Sequence, residues 1–158
     1  GRQLMGHIDA RLAELGITLP SVATPVAAYV PAMTSGNLLF TAGQLPFVDG
    51  TLLATGKVGA EVSASTAAEL ARVCALNALA AAHSVLGSLD KVTRIVKVNG
   101  FVASAPDFIG QPQVLNGASE VLAEIFGDKG LHARATVGVA VLPLDAPVEV
   151  EVILEFSD

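Results

Sequence analysis

Arg134 opens a run that is otherwise apolar or small, His132-Ala133-Arg134-Ala135-Thr136-Val137-Gly138-Val139. A guanidinium at the head of such a strand needs a carboxylate, supplied either by the protein or by a ligand. Downstream, Val137, Val139 and Val141 alternate with small residues, Leu142 to Pro147 supplies turn chemistry, and Val148, Val150 and Val152 alternate with Glu149 and Glu151. The pattern predicts a C-terminal β-hairpin. With Val141 opposite Val148, Arg134 faces Glu155 and Glu149 lies opposite Ala140. Arg134 and Glu149 then stand about 20 Å apart at the usual rise per strand residue, too far to share a site inside one chain. A cross-strand Arg134/Glu155 pair worth ~0.2–1 kcal/mol is one reading of the arginine, and a ligand carboxylate is the other.

Other chemistries find less support. His7, His83 and His132 are far apart, with no His-x-x-x-His or Cys-x-x-Cys spacing, so no metal is expected. Gly56-Lys57 lacks both the upstream glycine and the following Ser or Thr of a phosphate loop, and no Gly-x-Ser-x-Gly elbow is present. Cys74, the only cysteine, sits in a helix-like run and reads as a buried, inert thiol. The net charge of −6 and the scattered basic residues argue against a nucleic-acid surface.

The elements that must position Arg134 are legible from periodicity. Ile8, Leu12 and Leu15, with Asp9 near the start and Gly16 after the end, predict a short helix. Ala27 to Met33 and Leu38 to Ala42 are strand-like runs separated by Thr34-Ser35-Gly36-Asn37, and 44–59 is a loop with Asp49-Gly50 as its clearest turn. Ser63 to Leu86 is the longest helical signal, with Leu70, Val73, Leu76 and Leu79 at helical spacing, a capping cluster at Ser63-Ala64-Ser65-Thr66, and Asn77 interrupting the apolar face. Lys91 to Val102 predicts a strand, and Val114 to Phe126 a second helix ended by Gly127 and Gly130. The natural α+β solution is a mixed β-sheet with both helices packed on one face.

Ala133-Arg134, the alternating valines, Leu142-Pro143 and Val148-Glu149-Val150-Glu151 resemble the C-terminal signature of the Rid family, also called YjgF or L-PSP endoribonuclease. Thr41-Ala42-Gly43-Gln44-Leu45-Pro46 is similar to the family's serine-glycine-glutamine-x-proline segment, and 96–102 to its central strand. The resemblance runs from about Pro25 to Phe156. It implies a single chorismate-mutase-like domain over 25–158 that assembles as a homotrimer with intersubunit clefts, preceded by an N-terminal extension, 1–24, carrying the short helix. Gly1-Arg2-Gln3-Leu4 ahead of Met5 is set aside as a candidate expression scar.

The resemblance also implies an activity: hydrolysis of small 2-enamine or 2-imine acids to a 2-oxo acid and ammonia, with no cofactor. Arg134 would bind the substrate carboxylate and Glu149 would place the attacking water, unless Glu149 is a solvated strand residue. Tyr29 matches the family tyrosine that closes the cleft, or is a strand residue at a subunit contact. Asn116 matches the asparagine before the second helix, or is that helix's N-cap. Gly43 and Gln44 fit a backbone turn beside the pocket, where a missing Cβ admits the ligand.

Four features depart from the family pattern. Ala42 replaces a common serine or threonine hydroxyl, and Thr136 a common cysteine. His132 replaces a proline, either adding a titratable group near the cleft or standing as an exposed loop histidine. Extra residues at 110–113 lengthen the loop before Asn116.

Two other functions compete with the deaminase. One is a non-catalytic trimer that binds small carboxylates, kept open by Ala42; the other is an endoribonuclease, disfavoured by the acidic charge. The core must be built from Ala, Val and Leu, because aromatics make up only 4% of the chain, and this favours an oligomer in which subunit contacts bury further surface. No apolar run reaches membrane-spanning length and no secretory signal is visible, so cytoplasmic residence is the expectation.

Overall fold

The computed structural model of the protein describes residues 6–22 and 27–158. Gly1–Leu4, and Pro25 where the family-like core was expected to begin, lie outside the described residues.

The chain runs from helix α1 (His7–Glu14) through strands β1 (Ala32–Ser35) and β2 (Leu38–Thr41) to a small hairpin, β3 (Phe47–Val48) and β4 (Thr51–Leu52). Helix α2 (Ala64–Leu86), strand β5 (Val92–Ala103), helix α3 (Gln111–Phe126), and strands β6 (Ala133–Val139) and β7 (Val148–Phe156) follow. The main sheet has the order β1-β2-β7-β5-β6, with β5 and β6 parallel and every other neighbouring pair antiparallel. This is the mixed α+β sheet that the periodicity predicts.

Local chemistry explains the element ends. The Ser63 hydroxyl accepts from the Thr66 backbone N–H at 3.1 Å and caps α2, while Gly87 at φ 80° closes it. Asp49 and Gly50 both take positive φ, 50° and 78°, as a tight two-residue hairpin between β3 and β4 requires. The Asp90 carboxylate accepts from the backbone N–H groups of His7 and Ile8 at 3.0 and 2.7 Å, fixing the start of α1 from outside the helix.

Helices α2 and α3 cover one face of the sheet. Val148, Val150, Val152 and Leu154 of β7 are buried there with Val98 and Val102 of β5 and with Leu70, Cys74, Leu79, Leu115 and Leu122 from the helices. Ile8 and Leu12 of α1 join the same core. A Cβ at Gly117 would run into the Ala68 backbone carbonyl, so that glycine lets α3 lie close against α2.

The C-terminal hairpin does not form. β6 pairs with β5, and β7 lies between β5 and β2, so β6 and β7 flank β5 instead of pairing. Burial explains the arrangement. The β7 valine row is fully apolar on the helix face and takes the centre, whereas β6 puts Arg134, Thr136 and Gly138 on that face and takes the edge. Alternation identifies which residues face the core but not which strand lies beside them.

Two boundaries also differ from expectation. β1 begins at Ala32, which leaves Tyr29 in the irregular segment before it. The first turn of α3 contains Pro112, whose fixed φ and missing N–H suit that place, so 110–113 starts the helix and does not lengthen a loop.

Candidate functional site

Arg134 aligns with Val98 on β5, and Val98 aligns with Val152 on β7; both valines are buried beneath the helices. The arginine side chain therefore lies on the helix face, beside α3. Its Nη1 donates to Asn116 Oδ1 at 2.9 Å and to Ser119 Oγ at 3.2 Å, and its Nη2 to the Pro112 carbonyl at 3.4 Å. All three acceptors are neutral. Arg11, Lys57, Arg72 and Lys91 each hold a carboxylate within 4 Å, but Arg134 holds none among the described residues. The expected Arg134/Glu155 pair fails with the hairpin: Glu155 aligns with Arg94 and Leu38, and its carboxylate accepts from the Thr93 hydroxyl at 2.6 Å.

Asn116 lies in the second turn of α3, whose N-cap position is Gly110, so the capping alternative does not hold. Pro112, Asn116 and Ser119, at spacings of four and three, form one stripe of the helix turned toward β6. Sequence reasoning found Asn116 and missed Ser119. The i, i+3 spacing of Asn116 and Ser119, two small polar residues on one stripe of the helix, was the available signal.

His132 is neither exposed nor solitary. It is half-buried, with Nε2 2.9 Å from Ser119 Oγ and Nδ1 2.6 Å from the Gly130 carbonyl oxygen. Thr136, two residues beyond Arg134 on the same face, has a buried hydroxyl without a hydrogen-bond partner among the described residues. A buried hydroxyl of this kind costs about 1–3 kcal/mol until something binds it.

Glu149 belongs to the other side of the sheet. It aligns with Phe101 on β5 and, one strand further, with Val137 on β6, while its neighbours Val148 and Val150 point into the core. Arg134 and Glu149 are thus separated by the sheet itself, not by a length of hairpin. A Cβ at Gly43 would collide with the Glu149 carboxylate, so the glycine makes room for this side chain. The Gly43 loop is anchored to β7, because Gln44 exchanges backbone hydrogen bonds with Val150 at 2.8 and 3.0 Å. Behind it, the nearly buried Asn77 of α2 donates to the carbonyls of Leu45 and Phe47, both at 3.0 Å.

Burial pushes the Glu149 carboxyl above its ordinary value, and the Glu151 carboxylate adds to the rise. Glu151 itself accepts from Asn99 Nδ2 at 3.1 Å. Cys74, fully buried, is likewise pushed up, chiefly by burial and secondly by the Glu149 charge, which fits an inert thiol.

The remaining predicted positions are less engaged. Ala42 donates its N–H to the Pro31 carbonyl at 2.8 Å and offers no polar side chain. Tyr29 is 56% exposed and stands with neither group. Concavities of about 400 and 520 Å³ flank α1 and hold none of these residues. No cluster of metal-ligating side chains occurs among the described residues. Within one chain these residues therefore fall into two groups: Arg134, Asn116, Ser119, His132 and Thr136 on the helix face, and Glu149 with Gly43 on the open face.

A family model described as "YjgF/chorismate mutase-like, putative endoribonuclease" matches residues 9–156. The chain belongs to this family. It is 43% identical over 154 residues to protein TCP17 of Trypanosoma cruzi, covering 97% of this chain and 96% of that protein. It is 31% identical over 139 residues to a 2-iminobutanoate/2-iminopropanoate deaminase of Dermatophagoides farinae, covering 87% and 93%. The crystal structure of Atu1372 from Agrobacterium tumefaciens, a protein of unknown function, superposes with a TM-score of 0.88 at 48% identity, covering 95% and 93%. The family match begins inside α1, at Asp9, so most of that helix lies within the matched stretch.

Proposed function

We propose that the protein is a hydrolytic deaminase of small 2-imino acids and their enamine tautomers, working between subunits of a homotrimer. The observation that carries this reading is the state of Arg134. Its guanidinium is oriented by three neutral acceptors and meets no protein carboxylate among the described residues, as an anchor for a ligand carboxylate should be.

The substrate carboxylate would pair with Arg134, fixing the imine carbon relative to the site. The unpartnered Thr136 hydroxyl lies on the same side of the sheet for a second contact. Glu149 of the partner subunit would hold the water. It removes a proton as the water oxygen bonds to the iminium carbon, and returns that proton to the nitrogen of the tetrahedral carbinolamine. The C–N bond then breaks with ammonia as the leaving group, and loss of the hydroxyl proton leaves the 2-oxo acid. One imine and one water are consumed, one 2-oxo acid and one ammonia are formed, and no electron changes hands. A carboxyl held above its ordinary range suits a group that takes up and returns a proton near neutral pH.

The trimer is supported by the open face. Met33, Phe40 and Val137 are 60%, 40% and 48% exposed and share that face with Glu149 through the register Met33–Phe40–Ile153 and Val137–Phe101–Glu149. Apolar sheet surface of this kind is expected to be covered in the working protein. Ala42, without a hydroxyl beside the Gly43 loop, favours a second reading, a trimer that binds small carboxylates without turnover. Turnover separates the two readings.

The test is release of ammonia and 2-oxo acid from freshly generated 2-iminopropanoate and 2-iminobutanoate. Acceleration by the wild type that falls about 100-fold or more in Arg134→Ala supports the deaminase, since a desolvated charge pair of this kind is worth ~2–5 kcal/mol. Folded wild type that binds pyruvate without accelerating hydrolysis moves the assignment to the binding protein.

A further inference from the structure

The acceptors around Arg134 continue into a chain whose direction can be read. The Gly130 carbonyl oxygen can only accept, so His132 Nδ1, 2.6 Å away, carries a hydrogen. In the neutral ring Nε2 then holds the lone pair, and it faces Ser119 Oγ at 2.9 Å. The serine hydrogen must therefore point to His132, which turns the serine lone pairs toward Arg134 Nη1 at 3.2 Å. Donation runs one way, from Arg134 to Ser119 to His132 to the Gly130 carbonyl.

This direction determines which part of the guanidinium a ligand meets. Asn116 Oδ1 and Ser119 Oγ take the two Nη1 hydrogens, and the Pro112 carbonyl draws on Nη2. Among the described residues the Nε–H meets no acceptor, and Nη2 has two hydrogens for the single Pro112 carbonyl at 3.4 Å; the Nε/Nη2 edge, with two parallel N–H groups, matches a carboxylate.

We infer that Ser119 and His132 are positioning residues, which hold Arg134 so that its Nε/Nη2 edge receives the substrate carboxylate. The inference rests on the reading of Arg134 as a carboxylate anchor. His132 stands where the family resemblance places a proline, and a proline ring could neither orient the serine hydroxyl nor accept from it. The orientation of the anchor in this chain is therefore its own.

The experiment compares wild type with Ser119→Ala, Ser119→Thr, His132→Leu, His132→Gln and Arg134→Ala. It reads the Kd for pyruvate and 2-oxobutanoate, and kcat and KM on 2-iminopropanoate. Ser119→Ala and His132→Leu should weaken binding and raise KM about tenfold, the effect of losing a hydrogen bond one step behind a charged ligand contact, with kcat held within about twofold. Ser119→Thr and His132→Gln keep the hydroxyl and an acceptor at the Nε2 place, and should recover most of the loss.

Nitrogen-15 spectra add an independent readout. The chain has only three histidines, so His132 can be assigned by difference; it should show the Nδ1–H tautomer in wild type and in Ser119→Ala, because the Gly130 carbonyl is kept, while the Nε2 resonance shifts in the variant as its hydrogen bond from the serine is lost. Should His132→Leu fail to fold, this spectrum and Ser119→Ala decide alone. Loss of binding in Arg134→Ala with Ser119→Ala and His132→Leu unchanged would overturn the positioning role and leave the anchor standing. Unchanged binding in Arg134→Ala would overturn both. A loss that threonine and glutamine do not recover, or one confined to kcat, would also defeat the inference.

Discussion

The two faces of the sheet across β6, β5 and β7 are built to different degrees of completion. On the helix face, Arg134 is held by Asn116, Ser119 and the Pro112 carbonyl, and Ser119 is held in turn by His132. On the open face, Glu149 is half-buried beside a second carboxylate, makes no hydrogen bond within the described residues, and is accommodated chiefly because Gly43 has no side chain. The first arrangement orients its arginine inside one chain and leaves the Thr136 hydroxyl and part of the guanidinium without partners among the described residues. The second pays a desolvation cost that a single chain does not compensate, which is typical of a group kept for function. Under the proposed function, an arginine already oriented and a carboxyl still without a partner are the two parts that a site between two copies would bring together.

The most severe way to break this division is to keep the copies apart. Val137→Glu places a carboxylate on the open face, in line with Phe101 and Glu149, without touching the core. The expected result is monomers by mass measurement in solution and loss of nearly all turnover, with helical circular dichroism retained. A wild type that is itself monomeric at working concentration would end the intersubunit account.

Glu149→Gln should have the next largest effect, and it separates the two parts by kinetic type. kcat should fall about 10²–10⁴-fold, as for a lost general base, while the Kd for pyruvate changes little. Arg134→Ala should do the reverse, losing binding first. The same Glu149 substitution should stabilise the protein. A carboxyl raised in the fold contributes stability below the ordinary glutamate pKa, and that contribution is lost as pH rises through the raised value. Glutamine does not titrate, so the variant should match wild type near about pH 4 and exceed it near about pH 8, read by denaturation at one fixed protein concentration. A variant that is less stable at the higher pH would show that Glu149 is a structural partner and not a strained one.

Gly43→Ala sharpens the same point at smaller cost. The added methyl must displace the Glu149 carboxylate, and a displacement of about 1 Å at a reacting group can reduce kcat by ~10–100-fold. Pyruvate binding at Arg134 should persist, because the glycine lies on the other face. Loss of both together would mean that Gly43 serves the loop fold alone.

How much of this was legible in the sequence depended on whether the signal was local. The α2 cap at Ser63, the Asp49-Gly50 turn and the apolar rows of β5 and β7 follow from spacing and residue type over a few positions. The strand order did not, because β6 and β7 look like a hairpin by alternation and only the burial demanded by the β7 valines places that strand between β2 and β5. That error carried a correct separation of Arg134 and Glu149 on an incorrect reason, distance in place of opposite faces. Asn116 was legible through the family resemblance. His132 was singled out only as a departure from the family's proline, and the spacing of Ser119 from Asn116 went unused, since a serine inside a helix and a histidine before a strand are seen to pair only when α3 and β6 are brought side by side.

Ala42→Ser is the smallest change and decides between catalyst and binding protein. The Ala42 backbone is already fixed, with its N–H bonded to the Pro31 carbonyl and its carbonyl accepting from Gln44 Nε2 at 3.3 Å, so a hydroxyl added to its Cβ has a rigid base. One more hydrogen bond to the substrate or its water is worth ~0.5–1.5 kcal/mol, which corresponds to an increase of about 2- to 10-fold in kcat/KM. If the wild type is a working deaminase, the serine should raise kcat/KM within that range and leave pyruvate affinity nearly unchanged. If wild type shows no turnover and the serine creates it, the missing hydroxyl is what makes this chain a binding protein. A serine variant that alters neither rate nor affinity would remove position 42 from the site, and the fixed Gly43 loop would then serve only to make room for Glu149.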